Sequence, residues 1–339
     1  MSSPSTVTVL GKPVGPVAFG LMGFTWRHTI TSPEDAMPVM QRALAHGANF
    51  WNAGEFYGPP TNPYLNLELV KRYFTAHPAD ADRVVLSVKG GIDLSSGVPT
   101  PRGDAAAVRR SVDNVLAQLG GAKFVDIFEC ARVDAAVPIE TTVAALAEYV
   151  RAGRIGGIGL SEASAATIRR AHAVHPIAAV EVEVSLWERA PLAPGGVLDT
   201  CAELGIPVAA YAPLAMGFLA GALRTRADLD AADMRRAFER FSEDNFDSNA
   251  RIADAVRDAA AAAGVSPAQL CIEWVRVQGE KRGGVVIPLT GVTTAARADE
   301  NFARVEVGAE ALEAVGKVVE EMGVSGGRYM KAQQAYLLL

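Results

Sequence analysis

Between residues 17 and about 305, short apolar runs alternate with helix-periodic stretches, and this repetition constrains the fold more than any other feature of the sequence. The apolar runs are residues 17–20, then ANFWN, RVVLSV, VDIFE, IGGIGL, AAVEVEV, PVAAY and GVVIP. Between them lie helix patterns near 33–46, 64–77, 104–119, 139–152, 164–174 and 197–204, then 249–263 with 266–278, and finally 294–304. The first helix illustrates the signals: Ser32 as a cap, Pro33 in the first turn, early acids and Gly47 at the end. Eight strand-helix units without a Pro/Gly/Ser-rich linker predict an α/β fold, a single closed (β/α)8 barrel spanning 1–339.

Details around this repeat refine the prediction. VTVL-GK-PVG predicts a small hairpin within an N-terminal tail of about 16 residues, and a last amphipathic helix near 309–321 opens a C-terminal tail reaching 339. The long polar stretch at about 223–248 reads as a lid loop or as a solvated surface helix. A doubly wound sheet would announce its cofactor by a Gly-rich turn after the first strand, and none follows residues 17–20. GRIGGIGLS resembles such a fingerprint, but it follows a helix and runs into a strand, the wrong order for cradling pyrophosphate.

Composition excludes several functions. Thirty-two basic against 38 acidic residues give a net charge of −6, without the basic stripe that nucleic-acid binding needs. No window offers about 18 uncharged apolar residues, and the N-terminus lacks a signal-peptide pattern, so a soluble, cytoplasmic protein is expected. Cys130, Cys201 and Cys271 fit no metal or disulfide spacing and read as buried thiols. His28, His46, His77, His172 and His175 form no HExxH or strand-end cluster, so no metal site is expected. Neither a GxSxG elbow nor a P-loop occurs.

Active sites of such barrels lie where strands end and βα loops begin. The polar residues at those positions are Asn52 to Tyr57, Lys89, Glu129 to Arg132, Ser161 with Glu162, Glu181 with Glu183, and Tyr211. Lys89 ends a wholly apolar strand, where burial would depress its pKa unless a partner keeps it charged. Read as a couple, Lys89 and Tyr57 can protonate a carbonyl oxygen, because a nearby ammonium brings a phenol of pKa about 10 toward a useful range.

At these residues the sequence resembles the aldo-keto reductases. NFWNAGEFYG is similar to that family's segment around the catalytic Tyr, and LSVKGG to the strand end bearing its Lys. VDIFECARVD, GRIGGIGLSEA, AAVEVEVSLWER, AYAPLAMGFLAG and VIPLTGVTTAARADEN follow in the family's order. The resemblance implies an eight-stranded barrel and a nicotinamide cofactor, usually NADPH. It assigns Tyr57 as proton donor and Lys89 as the residue tuning it. Ser161 and Glu181 would hold the nicotinamide carboxamide, with Met22 and Glu162 beside them and Tyr211 stacked under the ring. Leu214, Gly217 and Leu219 would line the pyrophosphate path, and Thr293, Arg297, Glu300 and Asn301 would hold the adenosine end.

The sequence departs from that family's pattern at three positions. Asn52 stands where the family has an acid, Ala131 where it has a His, and Glu181 where it has a Gln. Lys89 thereby loses its usual counter-charge, which Glu55 or Glu129 is expected to replace in part, and the substrate carbonyl loses a donor. Glu181 cannot donate to the carboxamide unless protonated. FGLMGFTWR, WNAGEFYG, IFECARVD and the longer IPLTGVTT loop resemble the fungal pyridoxal reductase branch, which implies reduction of pyridoxal to pyridoxine. Trp26, Phe24, Phe56 and Trp187 would then form an aromatic mouth for a pyridine ring, with Arg132 also at the substrate. Arg297 suits a ribose 2′-phosphate, although Gly291 and Val292 replace residues with which many relatives assist it. A general aromatic aldehyde reductase and a nicotinamide-binding redox sensor remain as alternatives.

Overall fold

The structure, a computed structural model, describes residues 7–221 and 223–339, so residues 1–6 of the expected tail lie outside it. Eight parallel strands close into a barrel in chain order: β1 (Ala18–Gly20), β2 (Phe50–Gly54), β3 (Val85–Gly90), β4 (Ile127–Cys130), β5 (Gly157–Ser161), β6 (Ile177–Glu183), β7 (Val208–Tyr211) and β8 (Val286–Gly291). Helices α1 (Pro33–Ala45), α2 (Leu65–Ala76), α3 (Ala105–Leu119), α4 (Ile139–Arg151), α5 (Ala165–Val174) and α6 (Val197–Leu204) connect the first seven strands. Between β7 and β8 come α7 (Glu243–Ala262) and α8 (Pro267–Glu280), and after β8 come α9 (Ala295–Phe302) and α10 (Ala309–Met322).

Local sequence accounts for the helix ends. The side chains of Ser32, Asp104, Ser164 and Thr294 each accept a hydrogen bond from a first-turn amide. Ser266 and Gln269 form a reciprocal capping box, with Pro267 in the first turn of α8. Helix α7 begins at Glu243, six residues before the expected start, and residues 226–241 contain three short 3-10 turns instead of open loop.

Side-chain alternation along the strands then sorts the core into two regions. Val85, Ile127, Ala179, Ala209 and Ile287 point into the barrel and close its floor with Val9, from the antiparallel pair Thr8–Val9 and Lys12–Pro13, and Val14 just after it. Residues one step along, such as Trp51, Leu86, Val88, Phe128, Leu160, Val180 and Val182, pack outward beneath the helices. The inward positions above the floor carry Asn52, Ser87, Lys89, Glu129, Ser161, Glu181, Glu183 and Tyr211, so the polar residues gather at the C-terminal mouth. Cys130, Cys201 and Cys271 are buried and unpaired. Among the described residues no helix is long and apolar enough to cross a membrane.

Trp51 is fully buried, edge-on to Phe19 and Tyr73, and donates its indole N–H to the Ala48 carbonyl at 2.8 Å. Truncation to Ala leaves both a cavity and an orphaned carbonyl, so Trp51→Ala should cost about 3–5 kcal/mol in urea unfolding. A loss below about 1 kcal/mol would show that the helix layer does not depend on this contact.

Candidate active site

Lys89 sits at the centre of the mouth, 5% exposed. The β3–β4 register sets it directly opposite Glu129, and β2 places Asn52 one strand away. The Lys89 ammonium ion-pairs with Glu181 and lies 3.4 Å from both Glu129 Oε1 and Asn52 Oδ1. Asn52 Nδ2 donates to Glu181 Oε2 at 2.7 Å and Glu129 Oε2 at 3.3 Å, and Ser87 Oγ donates to Glu129 Oε2 at 2.9 Å. Gly159 opposes Glu129 across β5, and a Cβ there would approach the Glu129 side chain to 3.0 Å. Its missing side chain leaves room for the Glu129 stem and for Ile127, whose Cγ2 a Cβ would approach to 2.9 Å.

Burial works against the Lys89 ammonium, but Glu129 and Glu181 outweigh it and hold the lysine charged. Glu181 shifts upward, first through burial and then through the charge of Glu129, with Lys89 opposing both. Glu181 is the nearer partner of Lys89, while Glu129 makes the larger charge contribution to holding it protonated. Glu55 plays no part in this: it is turned away, bound by Ser111 and by Asn114 Nδ2 at 2.8 Å.

Tyr57 is held at the end of β2 by its own backbone. Its carbonyl accepts from Thr25 Oγ1 at 2.6 Å, Thr25 accepts from Asn66 Nδ2 at 2.9 Å, and Asn66 Oδ1 accepts the Gly54 amide at 3.1 Å. A Cβ on Gly54 would lie 2.7 Å from the Tyr57 ring, so glycine is required for that ring to fold against the strand end. Tyr57 shifts upward, through burial first, while Lys89 lowers it by charge alone. Among the described residues no hydrogen bond joins the Tyr57 and Lys89 side chains, so the lysine acts on the phenol through charge.

Trp26 stacks on Tyr57 at 5.3 Å between centroids, and Phe56 meets both rings edge-on. Phe24 does not join this group: it is fully buried against Phe19, because the single turn Met22–Thr25 directs it inward. Trp187 likewise packs on Phe218 and Phe241 under residues 226–241. Arg132 lies beside the site, donating to the Ala131 carbonyl at 2.6 Å and Ser161 Oγ at 3.3 Å.

A second buried network was not legible in the sequence. Arg328, from the C-terminal tail, forks onto both oxygens of Glu162 at 2.7 and 2.9 Å, donates to Glu183 at 2.9 Å, and donates to the Tyr211 hydroxyl at 2.7 Å. Tyr211 in turn donates to Glu162 at 2.8 Å and lies 3.0 Å from the Tyr329 hydroxyl. Arg240 reaches Glu188 at 2.9 Å from the segment before α7. Burial opposes ionised Glu162, but Arg328 overcomes it and holds its pKa below the usual value, whereas burial raises that of Glu183. Nothing periodic marks SGGRYM; an arginine directly after two glycines is its sole signal.

Several features of the chain fit a nicotinamide dinucleotide. Ser161 and Glu181 are register partners, as are Glu183 and Tyr211, so one wall presents a hydroxyl, a carboxyl and a phenol ring side by side. After β7, Ala215, Met216 and Gly217 have φ of +49°, +57° and +87°, a run of left-handed backbone of the kind found at ligand-holding turns. Arg235 clamps that turn through the Met216 carbonyl at 2.8 Å. Leu214 and Gly217 are half-buried there, whereas Leu219 is fully buried and its side chain belongs to the core. On α9, Arg297 and Glu300 pair at 2.6 Å, and buried Asn301 Oδ1 is an acceptor without a hydrogen-bond partner. Met22 is exposed, and Thr293 accepts from Arg27 at 3.3 Å.

The chain belongs to the aldo/keto reductase family, oxidoreductases whose members use a nicotinamide cofactor, and that family's pattern matches residues 16–318. It is 43% identical to the Schizosaccharomyces pombe protein named "Probable pyridoxal reductase 2", covering 97% of this chain and 98% of that one. An uncharacterized oxidoreductase of the same yeast is 36% identical over 83% of this chain and 82% of its own length. Among solved structures, the glycerol dehydrogenase of Gluconobacter oxydans superposes with a TM-score of 0.79 at 20% identity, covering 95% of this chain and 97% of that one, a likeness of fold.

Removing Arg328 would leave buried Glu162 without its ion-pair partner and buried Glu183 with only Arg240, 3.6 Å away. Arg328→Met should therefore cost about 3–5 kcal/mol of stability near neutral pH. The deficit should narrow as pH falls, since protonation neutralises the stranded acids, while in the parent the Glu162 contribution disappears only as pH falls through its depressed folded value. Urea titrations at several pH values check both; a deficit independent of pH would mean that lost packing accounts for it.

Proposed function

We propose that this protein is a cytoplasmic enzyme that reduces an aldehyde with NADPH, and that the aldehyde is pyridoxal, giving pyridoxine. The observation that carries this reading is Tyr57, anchored at the β2 end through Thr25 and Asn66 and facing a mouth that also holds a buried, charged Lys89. The pyridoxal reductase name of the 43% identical relative supports the substrate. The Trp26 and Phe56 rings beside Tyr57 suit a flat heteroaromatic ring.

When bound, NADPH supplies the hydride. Ser161, Glu181 and Tyr211 position the nicotinamide, and Met22 and Glu162 complete that wall. The Leu214–Gly217 turn meets the pyrophosphate, and Thr293, Arg297, Glu300 and Asn301 hold the adenosine end. Tyr57 donates its hydroxyl proton to the carbonyl oxygen as that oxygen gains charge, and the Lys89 ammonium stabilises the phenolate left behind. Ala131 offers no donor to the carbonyl, so Tyr57 carries the protonation alone. Residues 223–241 serve as a strap over the cofactor, a role supported by Arg235 gripping the Met216 carbonyl.

Tyr57→Phe should lower kcat/KM for pyridoxal by about 10²–10⁴-fold. NADPH binding, followed by quenching of Trp fluorescence, should not change; near-normal turnover would remove Tyr57 as donor. Pyridoxal should exceed benzaldehyde in specificity constant, and the reverse order would favour a general aromatic aldehyde reductase. NADPH binding with no carbonyl compound reduced would instead favour a redox sensor. Arg297→Ala should weaken NADPH by about tenfold and leave NADH unchanged, as loss of one charge-assisted phosphate contact requires.

A further inference from the structure

Lys89, Glu129 and Glu181 are each at most 5% exposed, and among the described residues the two carboxylates have no ion-pair partner except Lys89. Fully ionised, the trio would bury one uncompensated negative charge, which is costly in a low-dielectric interior. The hydrogen bonds show the same imbalance. Glu181 Oε1 meets Lys89 and Oε2 meets Asn52, while Glu129 Oε2 receives both Asn52 and Ser87. Glu129 Oε1 is buried without a hydrogen-bond partner, although Lys89 lies 3.4 Å away. The two carboxyl groups share the Asn52 amide nitrogen, at 2.7 and 3.3 Å, and both face the same ammonium, so a proton between them would relieve the repulsion of two carboxylates.

We propose that Glu129 and Glu181 share one proton at neutral pH, and that this singly charged pair, bridged by Asn52, is the counter-ion that positions Lys89. The arrangement explains why position 52 is an amide: an acid there would be a third acceptor in the same pocket, whereas Asn52 donates to both glutamates and accepts from Lys89. It also gives Glu181 a state in which it can donate a hydrogen bond, as the amide of a glutamine would. The proton is assigned to the pair and not to one oxygen. The other groups facing it are Ser87 from β3, Tyr57 beyond β2, and the Tyr211 ring, 5.8 Å from the Lys89 ammonium, from β7. Glu129 is thereby a positioning residue that acts through Lys89; this consequence for turnover rests on the assignment of Tyr57 as donor, whereas the shared proton does not.

Infrared difference spectra of the whole protein, parent minus E129Q and parent minus E181Q, test the shared proton without turnover. Either substitution leaves one carboxylate for one ammonium. Both spectra should show loss of a protonated-carboxyl C=O band that in the parent persists above the ordinary glutamate pKa of about 4.3. Loss of carboxylate bands alone in both would overturn the proposal. In pyridoxal reduction the parent kcat should titrate near neutral pH, and E129Q should move that inflection by at least about one pH unit, or abolish it. A uniform drop at every pH would overturn the positioning role. Absence of turnover with any aldehyde in the parent would defeat the functional reading, and the infrared result would still decide the proton.

Discussion

A lysine ammonium held inside the mouth of a closed barrel is the constraint around which this site is built. A buried cation persists only where acids and hydrogen-bond acceptors surround it. Here they come from three strands around Lys89 on β3: Asn52 on β2, Glu129 on β4 and Glu181 on β6. Strand closure makes such a convergence possible, because alternation sends every second residue inward and the register sets Lys89 level with Glu129. The same geometry demands Gly159, since a side chain on β5 would occupy the volume that Glu129 fills.

A second polar layer continues the first toward solvent. Glu162, Glu183 and Tyr211 end their strands around Arg328, and that arginine ties the C-terminal tail to the wall where the nicotinamide is proposed to lie. The segment before α7 joins the arrangement through Arg240 and through Phe238, which meets Tyr329 edge-on. Two stretches without strands of their own, 223–241 and the residues after α10, meet at the mouth through buried ion pairs and aromatic contacts, while a Thr225–Asp228 capping box and an Asp233 cap shape the 3-10 turns that precede α7.

Tyr57 and Lys89 illustrate the difference between adjacency along strands and contact in space. The spacing of NAGEFYG and LSVK puts both at neighbouring strand ends, and the structure keeps them there, yet Lys89 directs its hydrogen bonds to Asn52 and Glu181. Its influence on Tyr57 is electrostatic. The aromatic mouth shows the same gap: Trp26 and Phe56 flank Tyr57, while Phe24, two residues from Trp26, is rotated into the core by one turn of helix.

The sequence by itself determined the architecture: eight apolar runs separated by capped helices admit a parallel barrel, and period-two alternation then decides which residues face inward. It also determined the inventory of the site, because strand-end positions can be read without coordinates. Tertiary structure alone decided the pairing. Which of Glu55, Glu129 and Glu181 neutralises Lys89 depends on register, on the room left by Gly159, and on Ser111 and Asn114 drawing Glu55 away. The place of Arg328, 145 residues from its partner Glu183, depends on a chain reversal that no local signal encodes. Such charge pairings follow from distances across the barrel, and those distances exist only once it has closed.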